Sequence, residues 1–88
     1  MIILLFGNDG CEKCQYQKVV LEHYIKKTGS EHQFYYIDAY ADDMQDLCDE
    51  HEIDEIPHLQ VFNEDNEMVY SKIGYTTLRI LEKILKEE

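Results

Sequence analysis

Residues 2–14 of this 88-residue chain read IILLFGNDGCEKC, an apolar run, a glycine-bounded turn and two cysteines three positions apart. The run is continuous rather than alternating, which is typical of a strand that is buried on both faces. Gly7 and Gly10 predict that the chain turns directly after this strand. From Cys11 the apolar residues follow a helical period, so the first cysteine falls where a helix begins.

The first helix has recognisable ends and one apolar face. Asn8 or Asp9 is expected to cap its start, and Gly29 is expected to end it. Its predicted inward face is an apolar stripe that consists of Cys14, Val20, Leu21, Tyr24 and Ile25.

Strands and helices continue to alternate after the first helix. Aromatic and β-branched residues predict a strand at 34–38, and a helical period predicts a second helix over about 42–52. Apolar strands at 59–62 and 68–72 flank the polar turn 63–66. This last pattern is that of a β-hairpin.

Thr76 or Thr77 is expected to cap a last helix, and residues 86–88 are expected to fray. The inward face of this helix is predicted to hold Leu78, Leu81, Ile84 and Leu85. The element order is therefore β-α-β-α-β-β-α, within one domain that spans 1–88. Because a β-α-β crossover is right-handed, the first two strands are parallel, and the hairpin adds two antiparallel strands. We expect an α/β fold with a mixed four-stranded sheet and helices on both faces.

Composition excludes several classes of protein. Ile, Leu, Val and Phe make up 24 of the 88 residues, more than is typical of disordered chains. The formal net charge of −11 excludes a non-specific nucleic-acid binder and argues against polybasic membrane binding. The apolar run at 2–6 has no basic flank and is too short for a signal peptide or a membrane span. We therefore expect a cytoplasmic protein that binds neither nucleic acid nor membrane.

The two close cysteines, Cys11 and Cys14, predict redox chemistry. In a reducing compartment such a pair is more often redox-active or metal-binding than structural. A helix N-terminus favours the thiolate form of Cys11, which makes it the candidate nucleophile. Cys14 lies nearly one helical turn further on, where it can resolve a mixed disulfide. Lys13 between them adds cationic support and is a candidate substrate contact.

Pro57, the only proline of the chain, supports the same interpretation. Ile56-Pro57 directly precedes the predicted strand 59–62, where proline has no hydrogen to donate to the ladder. A cis peptide bond here leaves the Ile56 backbone free to pair with an extended substrate. The sequence leaves the isomer open.

Four stretches together resemble the thioredoxin superfamily in its small form, and most of all a dithiol glutaredoxin. The stretches are ILLFGNDGC (3–11), FYYID (34–38), IPHL (56–59) and GYT (74–76). The resemblance implies a minimal thioredoxin fold and a thiol–disulfide oxidoreductase that reduces protein disulfides. It further implies substrate contacts from Ile56, Pro57, Gly74 and Tyr75, no bound cofactor, and a monomer. The implied electron donor is glutathione, as a co-substrate, or a reductant of the thioredoxin-reductase type.

Departures from the family patterns leave the electron donor open. Glutaredoxins usually have Pro-Tyr between the cysteines, where this chain has Glu12-Lys13. Their glutathione-binding Gly-Gly and Asp are matched by Ile73-Gly74 and Thr77. Thioredoxins have a buried Asp at the position of Leu5. Glutathione is an anion, so the charge of −11 favours a protein substrate with a basic face.

A structural zinc site is the alternative from another class of protein. Cys11, Cys14, Cys48 and His51 form a Cys₃His set with acceptable spacing within each half. In a thioredoxin-like fold, however, the second helix packs away from the start of the first. Cys48 then reads as a buried, inert thiol on an apolar stripe. His51 is expected at the polar edge of that stripe, and His58 near the active site or solvent, neither with a catalytic role.

Overall fold

The chain forms four strands and three α-helices in a computed structural model that describes residues 1–29 and 31–85. The strands are β1 (Ile2–Gly7), β2 (Gln33–Asp38), β3 (His58–Phe62) and β4 (Met68–Ile73). The helices are α1 (Glu12–Thr28), α2 (Gln45–Glu50) and α3 (Leu78–Leu85), and a 3₁₀ turn at Asp42–Met44 precedes α2. The predicted element order is confirmed. The fraying expected at 86–88 lies outside the described residues.

The strands form one mixed sheet in the order β2-β1-β3-β4. β1 pairs with β2 in parallel, with Gly7 opposite Asp38. β3 pairs antiparallel with both β1 and β4, and Phe6 lies opposite His58. The carboxyl ends of β1 and β2 therefore meet the start of β3 at one edge of the sheet.

Apolar side chains fill both faces of the sheet because the central strand β1 is buried on both sides. On one face, Ile3 and Leu5 pack in a cluster that takes Leu21 from α1 and Leu81 from α3. On the other face, a second cluster consists of Phe6, Ile37, Ala39 and Cys48, with Leu4, Met44, Leu47, Ile53 and Ile56 packed against it. Successive strand residues point to opposite faces, so α1 and α3 cover one side and α2 covers the other. This confirms the predicted α/β fold with helices on both faces.

Three local expectations are wrong, and two are confirmed. Neither Asn8 nor Asp9 caps α1; the cap is Cys11, whose side chain accepts a hydrogen bond from the Cys14 N–H. The second helix ends at Glu50 rather than near 52, since the chain leaves the helical region just beyond it. Leu78 is 44% exposed instead of facing inward, because it starts the first turn of α3. The expected end at Gly29 and the Thr77 cap are both observed.

None of the helices in the described part of the chain combines the length and the apolar composition that a membrane span requires.

Candidate active site

The two cysteines lie directly after β1, at the start of α1. Cys11 and Cys14 form a disulfide, with their Cα atoms 5.2 Å apart. The backbone N–H of Cys14 donates to Cys11 Sγ at 3.2 Å. Cys11 is half-buried, whereas Cys14 has no exposed surface. Because the helix N-terminus supplies a donor to the accessible sulfur, the site favours a thiolate at Cys11.

A hydrogen-bonded turn at residues 8–10 holds the cysteines at the edge of the sheet. Asn8 Oδ1 accepts from the Gly10 N–H at 2.9 Å, and the Asn8 carbonyl accepts from the Cys11 N–H at 3.0 Å. Asn8 Nδ2 donates to Asp38 Oδ1 at the end of β2. This bond, with one from the Tyr40 N–H, lowers the pKa of Asp38. Asn8 thus links the ends of β1 and β2 and does not act as a helix cap.

The Cys14 side chain and the Tyr36 hydroxyl group of β2 both lie next to Gly7. A methyl group added at Gly7 would lie 2.8 Å from Cys14 Cβ, 3.1 Å from Cys14 Sγ and 2.9 Å from Tyr36 Oη. Tyr36 Oη accepts a hydrogen bond from Gln15 Nε2 at 3.0 Å. Sequence reasoning gave Tyr36 no functional weight, since a strand pattern does not reveal what a hydroxyl group faces.

Ile56-Pro57 joins the same edge of the sheet, directly before β3, and its peptide bond is cis. The Pro57 carbonyl accepts from the Gly74 N–H at 2.8 Å, which extends the β3–β4 ladder by one bond. Within the described residues, neither the N–H nor the carbonyl of Ile56 has a hydrogen-bond partner. Gly74 itself has φ of 96°, a conformation that favours glycine.

Gln17 fixes the loop after Gly74 onto α1, and sequence reasoning missed it. Its side chain is fully buried, accepts from the Thr76 N–H at 2.6 Å and donates to the Thr76 carbonyl at 3.1 Å. A polar residue between Cys14 and Leu21 on the apolar stripe was the signal that could have identified it.

Tyr75 lies beside the cysteine-bearing helix. Its ring packs on that of Tyr16, with the centroids 5.2 Å apart, and burial raises its pKa. The two rings border a groove of about 270 Å³ that is lined by Tyr16, Val19, Val20, His23, Tyr75 and Leu78. Lys13 is exposed on the first turn of α1. The predicted substrate contacts Ile56, Pro57, Gly74 and Tyr75 thus surround one end of the sheet.

The candidate zinc ligands are not brought together. Cys48 is 4% exposed in the cluster under α2, and burial raises its pKa. His51 Nδ1 donates to Gln60 Oε1 at 2.8 Å on the same side of the sheet. Within residues 1–29 and 31–85, no group of three His, Cys, Asp or Glu side chains is arranged to hold a metal ion. The expected buried thiol at Cys48 is observed.

His58 is buried in the sheet rather than facing solvent. Only 7% of its surface is exposed, its Nε2 lies 2.8 Å from Ser71 Oγ, and burial lowers its pKa. Its ring packs near that of Phe6, the neighbouring residue on β1. Its position indicates a structural contact between β3 and β4.

Several solved thioredoxins have a similar structure, although no protein-family model and no curated protein sequence matches the chain. A mutant thioredoxin from Halobacterium salinarum superposes with a TM-score of 0.81 at 24% identity, over 97% of this chain and 71% of its own. Mitochondrial thioredoxin 3 from Saccharomyces cerevisiae gives 0.76 at 22% identity, over 97% and 76%. Thioredoxin O2 from Arabidopsis thaliana gives 0.82 at 16% identity, over 98% and 75%. The chain therefore has the thioredoxin fold, and the glutaredoxin-like subtype stays a prediction.

Proposed function

We propose that this protein is a thiol–disulfide oxidoreductase that reduces protein disulfides through Cys11 and Cys14. The observation that supports this function is the asymmetry of the pair at the start of α1. Cys11 is the accessible sulfur and accepts a backbone N–H, whereas Cys14 is fully buried directly behind it. An attacking thiolate needs access and a nearby donor, and a resolving thiol needs only to reach its neighbour.

The reaction is dithiol–disulfide exchange. The Cys11 thiolate attacks one sulfur of the substrate disulfide, so a mixed disulfide forms and one substrate thiolate leaves. Cys14, once deprotonated, attacks Cys11 Sγ and releases the second substrate thiolate. The substrate gains two electrons, and the protein is left with the Cys11–Cys14 disulfide. A thiol reductant then restores the dithiol by the reverse exchange, and no bound cofactor takes part.

Ile56 and Pro57 are proposed to align the substrate beside the cysteines. The N–H and carbonyl of Ile56, which have no partner among the described residues, are able to form backbone hydrogen bonds with an extended peptide. Gly74, bonded to the Pro57 carbonyl, and the neighbouring Tyr75 are proposed to border this peptide. Lys13 is proposed to contact it from the first turn of α1.

The electron donor is proposed to be glutathione or a reductase of the thioredoxin-reductase type. The net charge of −11 favours a protein partner with a basic face over the anionic tripeptide. Chemistry that cycles through free thiols suits a reducing compartment, so the cytoplasm is the proposed location. The protein is proposed to act as a monomer.

Reduction of insulin disulfides by dithiothreitol tests this function. We expect the native protein to accelerate insulin reduction and Cys11→Ser to abolish the acceleration, because no other accessible thiol replaces the nucleophile. Cys48→Ala is the matched control and keeps the activity, since Cys48 lies in the cluster under α2. A native rate no higher than that of Cys11→Ser contradicts the proposal.

A coupled version of the same assay separates the electron donors. Glutathione with its reductase replaces dithiothreitol in one arm, and a thioredoxin reductase replaces it in the other. The arm that sustains turnover identifies the donor class. Turnover in neither arm, together with activity in dithiothreitol, contradicts both proposed donors.

A further inference from the structure

The hydroxyl group of Tyr36 and the sulfur of Cys14 face the same small space above Gly7. The methyl group that glycine lacks would contact both atoms, at 2.9 Å from Tyr36 Oη and 3.1 Å from Cys14 Sγ. Tyr36 comes from β2, where it lies opposite Leu5, two residues before Gly7 on β1. The position of the hydroxyl group is therefore set by the sheet and not by a surface loop.

The hydrogen bonds of Tyr36 leave its proton available. Its Oη accepts from Gln15 Nε2 at 3.0 Å. In the described part of the chain, Tyr36 Oη donates to no acceptor. A phenol that accepts one hydrogen bond becomes a better donor in the next, because hydrogen bonds in a chain polarise one another.

The surrounding charges keep Tyr36 protonated. Burial raises its pKa first of all, and the carboxylates of Asp9 and Asp38 raise it further. The hydrogen bond from Gln15 works in the opposite direction, and Lys18 Nζ lies 4.8 Å from the centre of the ring. The phenol therefore stays protonated, and able to donate, at the pH at which an ordinary cysteine thiol titrates.

Cys14 is the sulfur that needs such a donor. It has no exposed surface, so water does not solvate a charge on its Sγ. Burial without a donor disfavours a thiolate and slows both its attack and its departure. Cys11, by contrast, already has the Cys14 N–H.

We propose that Tyr36 is a catalytic residue whose hydroxyl donates a hydrogen bond to Cys14 Sγ whenever that sulfur carries the negative charge. The proposal rests on the proposed function and adds a residue to it. When a thiolate reductant attacks Cys11 Sγ, a new S–S bond forms there and the Cys11–Cys14 bond breaks. Cys14 leaves with the electron pair, and the Tyr36 O–H stabilises the thiolate. In substrate reduction the same bond stabilises the Cys14 thiolate before it attacks Cys11.

The pKa of Cys14 in the reduced Cys11→Ser protein tests the proposal directly. Carbon-13 NMR of labelled cysteine Cβ atoms resolves Cys14 from Cys48 during a pH titration. Adding Tyr36→Phe removes only the hydroxyl, and we expect the pKa of Cys14 to rise by about one to two units, as for the loss of one hydrogen bond to a charged group. Tyr35→Phe is the matched control, because the Tyr35 hydroxyl donates to Gln33 on the exposed side of β2. It leaves the pKa unchanged.

An unchanged pKa of Cys14 in a folded Tyr36→Phe protein overturns the proposal. Gln15→Leu gives a second measurement, because it keeps the Tyr36 ring and removes the amide that polarises the phenol. We expect Gln15→Leu to raise the pKa of Cys14 by less than Tyr36→Phe does. If neither variant changes the pKa of Cys14, the proposal is overturned. The titration contains no substrate, so its result is independent of insulin reduction. A shifted Cys14 in a protein that fails to reduce insulin rejects the proposed function alone.

Discussion

Gly7 is the residue on which the packing of the active site depends most directly. A methyl group there would lie 2.8 Å from Cys14 Cβ, well inside van der Waals contact. We expect Gly7→Ala to lower the free energy of unfolding of the oxidised protein by about 1–3 kcal/mol, the usual cost of overpacking. Urea denaturation followed by circular dichroism measures this loss.

Gly10→Ala is the control for Gly7→Ala. A methyl group at Gly10 would meet only Asn8 Oδ1, at 3.2 Å, and a side-chain amide is able to shift. We expect a clearly smaller loss of stability at Gly10. Equal losses at both positions would show that glycine flexibility, and not contact with Cys14 and Tyr36, explains the effect.

Individual residues differ in how well the sequence predicted them. The spacing of Cys11 and Cys14 predicted a close pair at a helix start, and the apolar stripe predicted a buried Cys48. The cap of α1 was predicted wrongly, because Asn8 bonds Gly10 and Asp38 while the Cys11 sulfur takes the capping position. The role of Tyr36 depends on which atoms the sheet register brings to its hydroxyl, and no local pattern contains that information.

Among the elements, α1 is joined to the segment after β4 by Gln17. Replacing Gln17 with Leu keeps the volume and leaves the buried N–H and carbonyl of Thr76 without partners. We expect Gln17→Leu to lower the free energy of unfolding by about 1–3 kcal/mol, the cost of unsatisfied buried polar groups. Denaturation in urea measures the change.

Glu22→Leu on the same helix is the control, since the Glu22 side chain is exposed and makes no hydrogen bond within the described residues. We expect its effect to stay within about 0.5 kcal/mol, as at other surface positions. A loss at Gln17 no larger than that at Glu22 would mean that water replaces the amide at Thr76, and that α1 does not hold this segment in place.

Strands were predicted more accurately than helices, for a physical reason. Each of the four predicted strands lies within one residue of its observed bounds at either end. β1 and β3 are largely buried, so their apolar runs follow the structure closely. β4 is mostly exposed, and it is the turn residues on either side of it that mark its ends in the sequence. The second helix was predicted too long, because Asp42–Met44 form a 3₁₀ turn and the chain leaves the helix at His51. Such ends depend on local turns that apolar periodicity does not reveal.

At the scale of the whole molecule, the charges are segregated. Residues 28–71 contain thirteen acidic residues and no Lys or Arg. In the described residues, the cationic side chains come from α1, the end of β4 and α3. α1 and α3 share one face of the sheet, and Lys72 lies opposite Leu59, whose side chain packs on that same face. Among the described residues, the face that carries α2 therefore has only acidic formal charges. Asp54 and Glu55 extend this acidic segment to Ile56-Pro57.

The sequence predicted the topology and the edge where the candidate site lies, because right-handed crossover and strand order follow from few rules. The interpretation of Ile56-Pro57 as a contact for the substrate of Cys11 and Cys14 also implied that these residues lie close together. The sequence showed the net charge of −11 but not how the charges are distributed over the two faces of the sheet. Their segregation became visible once α2 was known to lie on the face opposite α1 and α3, which periodicity alone does not determine.

This segregation predicts a salt-dependent preference for basic substrates. We expect kcat/KM for a disulfide peptide flanked by lysines to exceed that for its glutamate counterpart by about tenfold at low ionic strength, through electrostatic steering. At about 10 mM salt the Debye length is about 30 Å, and at about 1 M it is about 3 Å, so the preference should disappear at high salt. Steady-state reduction of the two peptides at both salt concentrations measures it.

Two paired variants with the same change in net charge show whether position matters. Asp54→Asn with Glu55→Gln removes two charges beside Pro57, whereas Glu64→Gln with Asp65→Asn removes two from the turn at the far end of β3. We expect the first pair to reduce the preference for the lysine peptide more strongly, since the steering field is largest near its sources. If both pairs reduce the preference equally, the preference depends on net charge alone. If the native protein shows no preference for the lysine peptide, charge does not determine substrate choice.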